Sequence, residues 1–81
     1  MSRTLTSPLH RALIEFLIEK RKEAGLTQAE VAERLDRYQS FVATVESGQR
    51  RIDVVDLLQF AGAIGFDPSN AITRLQKIRD I

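Results

Sequence analysis

Apolar residues recur at three- and four-residue spacing in five segments, and capping residues, prolines or glycines separate these segments. This spacing places apolar side chains on one face of an α-helix. No segment alternates apolar and polar residues with a period of two, as a half-buried strand would. The pattern therefore predicts an all-α chain of five short helices with brief connections.

Local signals predict where the first two helices begin and end. Ser7 can cap a helix, and Pro8 suits the first helical position because its missing N–H has no partner there. Gly25 can close this helix in the left-handed conformation. Thr27 and Glu30 have the spacing of a capping box, which predicts the start of the second helix.

Similar signals divide the remainder of the chain. Asp36 stands where the turn after the second helix needs a left-handed residue. The third helix is expected at about residues 39–47, Asp53 caps the fourth, and Asp67 opens a fifth at about residues 68–79. The fourth helix has an apolar stripe that we expect to be buried, formed by Val54, Leu57, Leu58, Ala61 and Ile64.

The composition indicates one small globular domain. The chain has 81 residues, of which 43% are hydrophobic and 28% charged, and it contains no cysteine. We expect residues 1–6 to form a loose arm and residues 7–81 the domain. No apolar run approaches membrane-spanning length and no signal peptide is evident, which favours a cytoplasmic protein. The net charge of +1 gives only weak support to nucleic-acid binding.

Catalysis and metal binding find little support in the sequence. His10 is the single histidine and is expected to be a surface residue rather than a base. No carboxylate pair, glycine-rich phosphate loop or metal-ligand spacing is present. We therefore predict that the protein is not an enzyme and holds no metal or cofactor.

Residues 26–51 form two predicted helices joined by a tight turn and followed by a basic loop, as in a helix-turn-helix. Over about fifty residues the sequence resembles the Cro/lambda-repressor (XRE-type) helix-turn-helix family of DNA-binding proteins. The residues that carry the resemblance are Arg21, Ala24, Gly25, Leu26, Thr27, Gln28, Val31, Ala32, Leu35, Gln39, Ser40, Glu46, Ser47, Gly48, Gln49, Arg50, Arg51, Leu57, Leu58, Ala61, Ile64, Gly65, Asp67 and Pro68. The resemblance implies a lambda-repressor-like fold, with the helix-turn-helix at about residues 27–47.

The sequence departs from the family pattern at three positions. Asp36 replaces the usual turn glycine, and Tyr38 replaces a good N-cap. Thr44 stands where many relatives carry arginine or lysine, which removes a favoured contact to guanine.

The resemblance also assigns DNA contacts. It places Gln39, Ser40, Phe41 and Thr44 at the base-facing positions of the third helix. Val42 and Val45 should face the core, and a merely solvated face is the alternative for the polar positions. For Phe41, partial burial with an edge towards thymine methyls and simple core packing remain open.

Other residues are expected at the DNA backbone or in the scaffold. The predicted phosphate contacts are Gln28, Arg37, Tyr38, Arg50 and Arg51. Gln28 could instead be a plain solvent-facing residue, Tyr38 a turn residue, and one of the two loop arginines could pair with Asp53 or Asp56. The resemblance implies a structural salt bridge between Arg21 and Glu46.

The last two helices carry more apolar residues than a small core requires, which predicts a dimer interface. The interface residues would be Phe66, Ile72, Leu75 and Ile78, with Phe60 and Ile81 beside them. Packing inside a monomer is the alternative.

These observations predict a homodimeric transcriptional regulator, most simply a repressor, that binds a pseudo-palindromic double-stranded operator through the major groove. The alternative is an antitoxin-type module that binds a toxin and binds DNA secondarily.

Overall fold

The computed structural model describes residues 7–78, which form five α-helices. They are α1 (Pro8–Glu23), α2 (Gln28–Leu35), α3 (Gln39–Glu46), α4 (Val54–Ile64) and α5 (Pro68–Gln76). These residues contain no strand, and the prediction of an all-α, five-helix fold is confirmed. The predicted arm at residues 1–6 and Ile81 lie outside the described residues, and α5 ends earlier than predicted, at Gln76.

The helices begin where the sequence predicts. The Ser7 side chain accepts a hydrogen bond from the backbone N–H of His10 at the start of α1. At α2, Thr27 and Glu30 form the predicted capping box. Asp53 caps α4, and Asp56 completes a second capping box. This box does not follow the usual sequence pattern of Ser or Thr with Glu three residues later, so the pattern does not predict it. Each box satisfies backbone N–H groups that the first helical turn leaves without partners.

The tight turn between α2 and α3 depends on Asp36. Its φ of 58° and ψ of 44° lie in the left-handed region. Among residues 7–78, it is the only residue other than glycine that has a positive φ. The backbone N–H of Arg37 donates to the carbonyl of Ala32 at 2.9 Å, which closes the end of α2. The turn therefore has the expected geometry without the glycine that would adopt it most easily.

The core lies between α1, α2, α3 and α4. Its most completely buried side chains are Phe16, Leu17, Val31, Val42, Val45 and Phe60. Val42 and Val45 orient α3, since both face inward from a helix of only eight residues. The short helix is held by packing against its neighbours, because a helix of this length is not stable in isolation.

Two expectations about burial are wrong. His10 is buried, with 5% of its surface exposed, and its Nε2 has no hydrogen-bond partner among residues 7–78. On α4, Leu57, Ala61 and Ile64 are buried as expected, but Val54 and Leu58 face outward. Because α4 is apolar around most of its circumference, its sequence does not identify the side that faces the core.

Helix α5 packs across α1 rather than projecting from the domain. The rings of Phe16 and Phe66 meet edge to face with centroids 5.1 Å apart. Arg74 donates to Glu19 at 2.7 Å, and Ala71 is buried. The aromatic contact and the ion pair together attach the last helix to the first.

The residues of the predicted dimer interface differ in how much of their surface is exposed. Phe60 belongs to the core, and Phe66 is half-buried against Phe16, so neither offers a free apolar surface. Ile72 is exposed, whereas Leu75 and Ile78 are half-buried. The most exposed aliphatic side chains instead lie on α4, where Val54, Val55 and Leu58 are 68%, 61% and 52% exposed.

Among residues 7–78, no helix has the length and hydropathy needed to cross a bilayer.

Candidate nucleic-acid interface

Helix α3 has one face in the core and one that no other element covers. Opposite Val42 and Val45, the side chains of Gln39, Ser40 and Ser47 are exposed. Ala43 and Thr44 are half-buried between the two faces. The outer face is polar and is short enough to enter the major groove, which admits an α-helix.

Arg21 and Glu46 fix the end of α3 against the scaffold. Arg21 Nε donates to Glu46 Oε2 at 2.6 Å and Nη2 donates to Oε1 at 3.0 Å, so the ion pair is bidentate. Arg21 Nη1 also donates to the carbonyl of Leu26 at 2.9 Å. Both side chains are largely buried. One arginine thereby holds α1, the corner before α2 and the last turn of α3 in a single arrangement.

Gln28 connects this ion pair to the start of α3. Its Nε2 donates to Glu46 Oε1 at 2.9 Å, and its Oε1 accepts a long hydrogen bond of 3.4 Å from Gln39 Nε2. Gln28 is therefore neither a plain solvent-facing residue nor a side chain reserved for phosphate. It retains one amide N–H, and the unbonded backbone N–H groups of the first turn of α2 remain suited to an anion.

Two hydroxyl groups of α3 and its C-cap are bonded to the helix itself. Thr44 Oγ1 donates to the carbonyl of Ser40 at 2.6 Å, and Ser47 Oγ donates to the carbonyl of Thr44 at 2.8 Å. These bonds orient both hydroxyls and leave their oxygen lone pairs as acceptors. Thr44 thus presents an acceptor and a methyl group to any ligand of the outer face.

Phe41 and two arginines form a separate cluster at the edge of α3. The Phe41 ring stacks on Phe60 with centroids 6.1 Å apart and 29° between the planes. The guanidinium carbons of Arg37 and Arg50 lie 3.7 Å and 5.1 Å from the Phe41 centroid. The half-buried ring is therefore packed on the core on one side and bordered by two cations, and an edge contact to thymine methyls stays a prediction.

The other predicted phosphate contacts are at the surface. Tyr38 is 86% exposed and occupies the N-cap position of α3 without a side-chain hydrogen bond to the helix. Arg51 is exposed in the loop before α4. Asp53 and Asp56, the alternative partners of the loop arginines, accept each other's backbone N–H groups in the α4 capping box.

The carboxylate of Glu30, in the first turn of α2, takes part in the capping box of that helix. Glu30 accepts a hydrogen bond from the backbone of Thr27, and this bond is the main reason that the pKa of Glu30 is lowered. Glu30 therefore stays ionised at neutral pH while its charge is directed to the cap. No group of histidine, cysteine and carboxylate side chains among residues 7–78 could hold a metal ion.

Sequence reasoning identified the surface residues of α3 but missed how the supporting side chains connect. Gln28 and Glu46 are 18 residues apart, so no local pattern relates them. Arg37 and Phe41 have a four-residue spacing that could have suggested their contact. Arg50 joins the same ring from a loop whose path only the folded chain defines.

This geometry is that of one class of domain. It is compact and all-α, and a short helix, held by a buried ion pair, presents a polar face beside the guanidinium groups of Arg37 and Arg50. A family model described as "Helix-turn-helix domain" matches residues 13–71. The chain therefore belongs to the helix-turn-helix family, of the XRE type, which is a class of DNA-binding transcriptional regulators rather than of enzymes.

Solved structures agree with this assignment. An XRE-family like protein from Pseudomonas syringae pv. tomato str. DC3000 shares 40% sequence identity with a TM-score of 0.83, over 91% of this chain and 90% of that chain. The restriction-modification controller protein C.AhdI from Aeromonas hydrophila is 31% identical with a TM-score of 0.70, over 76% of this chain and 94% of that one.

The clp gene regulator ClgR from C. glutamicum has the same fold, with a TM-score of 0.76 and 22% identity over 84% of this chain and 88% of that chain. No curated protein sequence matches the chain.

Proposed function

We propose that the protein is a sequence-specific transcriptional repressor that binds a two-fold operator as a homodimer, with α3 in the major groove. The observation that carries the proposal is the uncovered polar face of α3, which the Arg21–Glu46 ion pair holds in a fixed orientation. A helix with no packing partner on its outer side, in a family of DNA-binding regulators, fits a groove. Acting on operator DNA places the protein in a prokaryotic cytoplasm.

The side chains divide into two roles in this proposal. Gln39, Ser40 and Thr44 contact base edges, where a glutamine amide can form two hydrogen bonds with adenine. Arg37, Arg50, Arg51, Tyr38 and the N-terminal turn of α2 at Gln28 contact phosphates, which adds affinity without sequence preference. The modest net charge is compatible with this role because Arg37 and Arg50, from the segments on either side of α3, come together at the Phe41 ring.

A second copy completes the proposed binding unit. One domain of this size contacts few base pairs, and related helix-turn-helix proteins bind half-sites about 34 Å apart as two-fold dimers. The exposed aliphatic residues Val54, Val55 and Leu58 of α4 are the apolar surface that we propose a second copy covers, and Ile72 of α5 is exposed as well. Burial of the α4 surface would remove from water the most exposed aliphatic side chains among the described residues.

The experiment is a selection of bound DNA from a random duplex pool at about 0.15 M salt. The expected result is a two-fold symmetric motif with half-sites one helical turn apart. Gln39→Ala should then relax preference at one base pair by about 1–3 kcal/mol, whereas Arg50→Ala should weaken all sequences alike and reduce the salt dependence.

A charge-matched control is Lys77→Gln, because Lys77 follows α5, which packs on α1 and α4 rather than on α3. This variant should bind as the wild type does. A folded wild-type protein that enriches no sequence would refute the proposal. Co-purification with a small toxic partner would then support the toxin-binding alternative.

A further inference from the structure

The two arginines at the edge of α3 come from different parts of the chain and meet at one ring. Arg37 belongs to the turn before α3 and Arg50 to the loop after it, yet both guanidinium carbons lie within 5.1 Å of the Phe41 centroid. Phe41 itself rests on Phe60, which is buried in the core. Two aromatic rings, Phe41 and Phe60, therefore connect both cations to the core.

Neither guanidinium has a carboxylate partner among residues 7–78. The acidic residues nearest in sequence to Arg50 are Asp53 and Glu46, and both carboxylates already accept hydrogen bonds, Asp53 in the α4 capping box and Glu46 from Arg21. Arg21, by comparison, is bonded to Glu46. Arg37 and Arg50 thus keep their charge and their N–H donors available to a ligand from outside the chain.

A contact with the face of an aromatic ring needs no carboxylate partner and is compatible with those donors remaining available. A guanidinium group is planar and attracts the face of an aromatic ring through its own face, while its N–H groups point outward in its plane and suit phosphate oxygens. An arginine on a flat aromatic surface also samples fewer rotamers than a free one. Ordering the side chain before DNA arrives reduces the entropy lost on binding.

We propose that Phe41 is a positioning residue whose ring holds Arg37 and Arg50 as a preformed pair of phosphate-binding groups for the DNA backbone. This inference rests on the proposed function, because the phosphates are those of the bound operator. It changes the role of Phe41: the ring acts through the two arginines rather than through contact with a base. Phe41 should therefore contribute to affinity for every duplex and not to the choice of sequence.

The test compares Phe41→Leu with Phe41→Tyr in the full chain. Leucine keeps an apolar contact to Phe60 but has no aromatic face, whereas tyrosine keeps the ring. The expected result for Phe41→Leu is a loss of roughly five- to tenfold in affinity, equal for the selected operator and for an unrelated duplex, as expected for weakened cation–π contacts. Phe41→Tyr should retain the wild-type affinity.

A second background separates positioning from a general loss of structure. In Arg37→Gln/Arg50→Gln protein, Phe41→Leu should cause no further loss, because contacts that act as one unit are not additive. An additive loss in that background, a change of preference at one base pair, or undiminished binding by Phe41→Leu would each overturn the inference. Melting curves establish that each variant is folded, and Phe41→Met replaces Phe41→Leu if the latter is not.

The two proposals fail in different ways. Failure of the wild-type protein to bind any duplex would refute the proposed function and this inference together. Sequence-specific binding by the wild type, with Phe41→Leu equal to it, would refute this inference alone. The ring contact has an independent readout, since ring-current shifts of the Arg37 and Arg50 side-chain resonances should be present in wild type and absent in Phe41→Leu.

Discussion

Glu46 joins the end of α3 to two other parts of the scaffold. Its two carboxylate oxygens accept hydrogen bonds from Arg21, and one of them also accepts from Gln28. The first contact fixes the end of α3 against α1, and the second connects it to the start of α2. Because the carboxylate is largely buried, its removal would leave the Arg21 charge without compensation in a poorly solvated position.

Glu46→Ala should therefore lower the free energy of unfolding by about 3 kcal/mol. The free energy of DNA binding should change by less. Urea unfolding gives the first quantity, and titration of an operator duplex below the unfolding transition gives the second. Glu23→Ala is the matched control, since it removes the exposed pair with Lys20 and should cost less than about 0.5 kcal/mol. An unchanged unfolding midpoint for Glu46→Ala would show that the ion pair does not stabilise the fold.

Asp36 provides a second prediction for a single residue. Because its φ is 58°, the position suits glycine best, aspartate less well and alanine least. Asp36→Ala should destabilise the protein by about 1 kcal/mol, while Asp36→Gly should leave its stability unchanged or raise it by a few tenths. Thermal unfolding of the two variants gives the comparison. Equal midpoints of the two variants would show that the left-handed backbone at this position does not limit the stability of the fold.

At the scale of the helices, the ion pair that attaches α5 to α1 depends on pH. A hydrogen bond from Arg74 is the main cause that lowers the pKa of Glu19 below its ordinary value of 4.5. The same bond raises the pKa of Arg74. A carboxyl group with a lowered pKa in the folded state stabilises the fold fully above its ordinary pKa. This stabilisation is lost as the pH falls through the lowered value.

Glu19→Gln should accordingly lower the melting temperature at pH 7, and the difference from wild type should disappear as the pH falls well below 4.5. Melting curves between neutral pH and about pH 2 measure it. Glu33→Gln removes the same charge from the exposed side of α2 and serves as the control. A difference between Glu19→Gln and wild type that is independent of pH would contradict the assigned cause.

The helices also show how far sequence reasoning extends. Helix starts were predictable because caps such as Thr27 and Asp53 act within three residues of the group they satisfy. The orientation of α4 was not, since a helix apolar on most sides is oriented by its neighbours and not by its own pattern. His10 failed for a related reason: its polarity predicts exposure, but the packing of the folded chain buries it.

The same limit applies to the candidate site. The outward positions of α3 followed from Val42 and Val45 alone, because helical geometry relates all positions of one helix. The link from Gln28 to Glu46 and the meeting of Arg37 with Arg50 at Phe41 depend on tertiary distances. Such contacts between segments distant in the chain are set by the complete fold.

At the scale of the whole molecule, the prediction concerns association. Leu58→Glu places a charge on the exposed apolar surface of α4 and should convert a dimer to a monomer without lowering the stability of the domain, because Leu58 is half exposed and outside the core. Sedimentation velocity measures the state, and affinity for a two-half-site operator should fall with it.

Asn70→Asp adds a negative charge at an exposed position near the start of α5, on the opposite side of that helix from Ile72, and should remain dimeric. A wild-type protein that is monomeric at high concentration, or a Leu58→Glu variant that remains dimeric, would exclude this surface as the interface.

The arrangement of α3 has a consequence for how such proteins can diverge. The core valines and the Arg21–Glu46 pair hold the helix from behind, whereas Ser40 on its front is exposed. Mutations at the front can therefore accumulate with little penalty in folding. After gene duplication, two copies could acquire different operators while retaining one scaffold, and a designer could change the target by the same route.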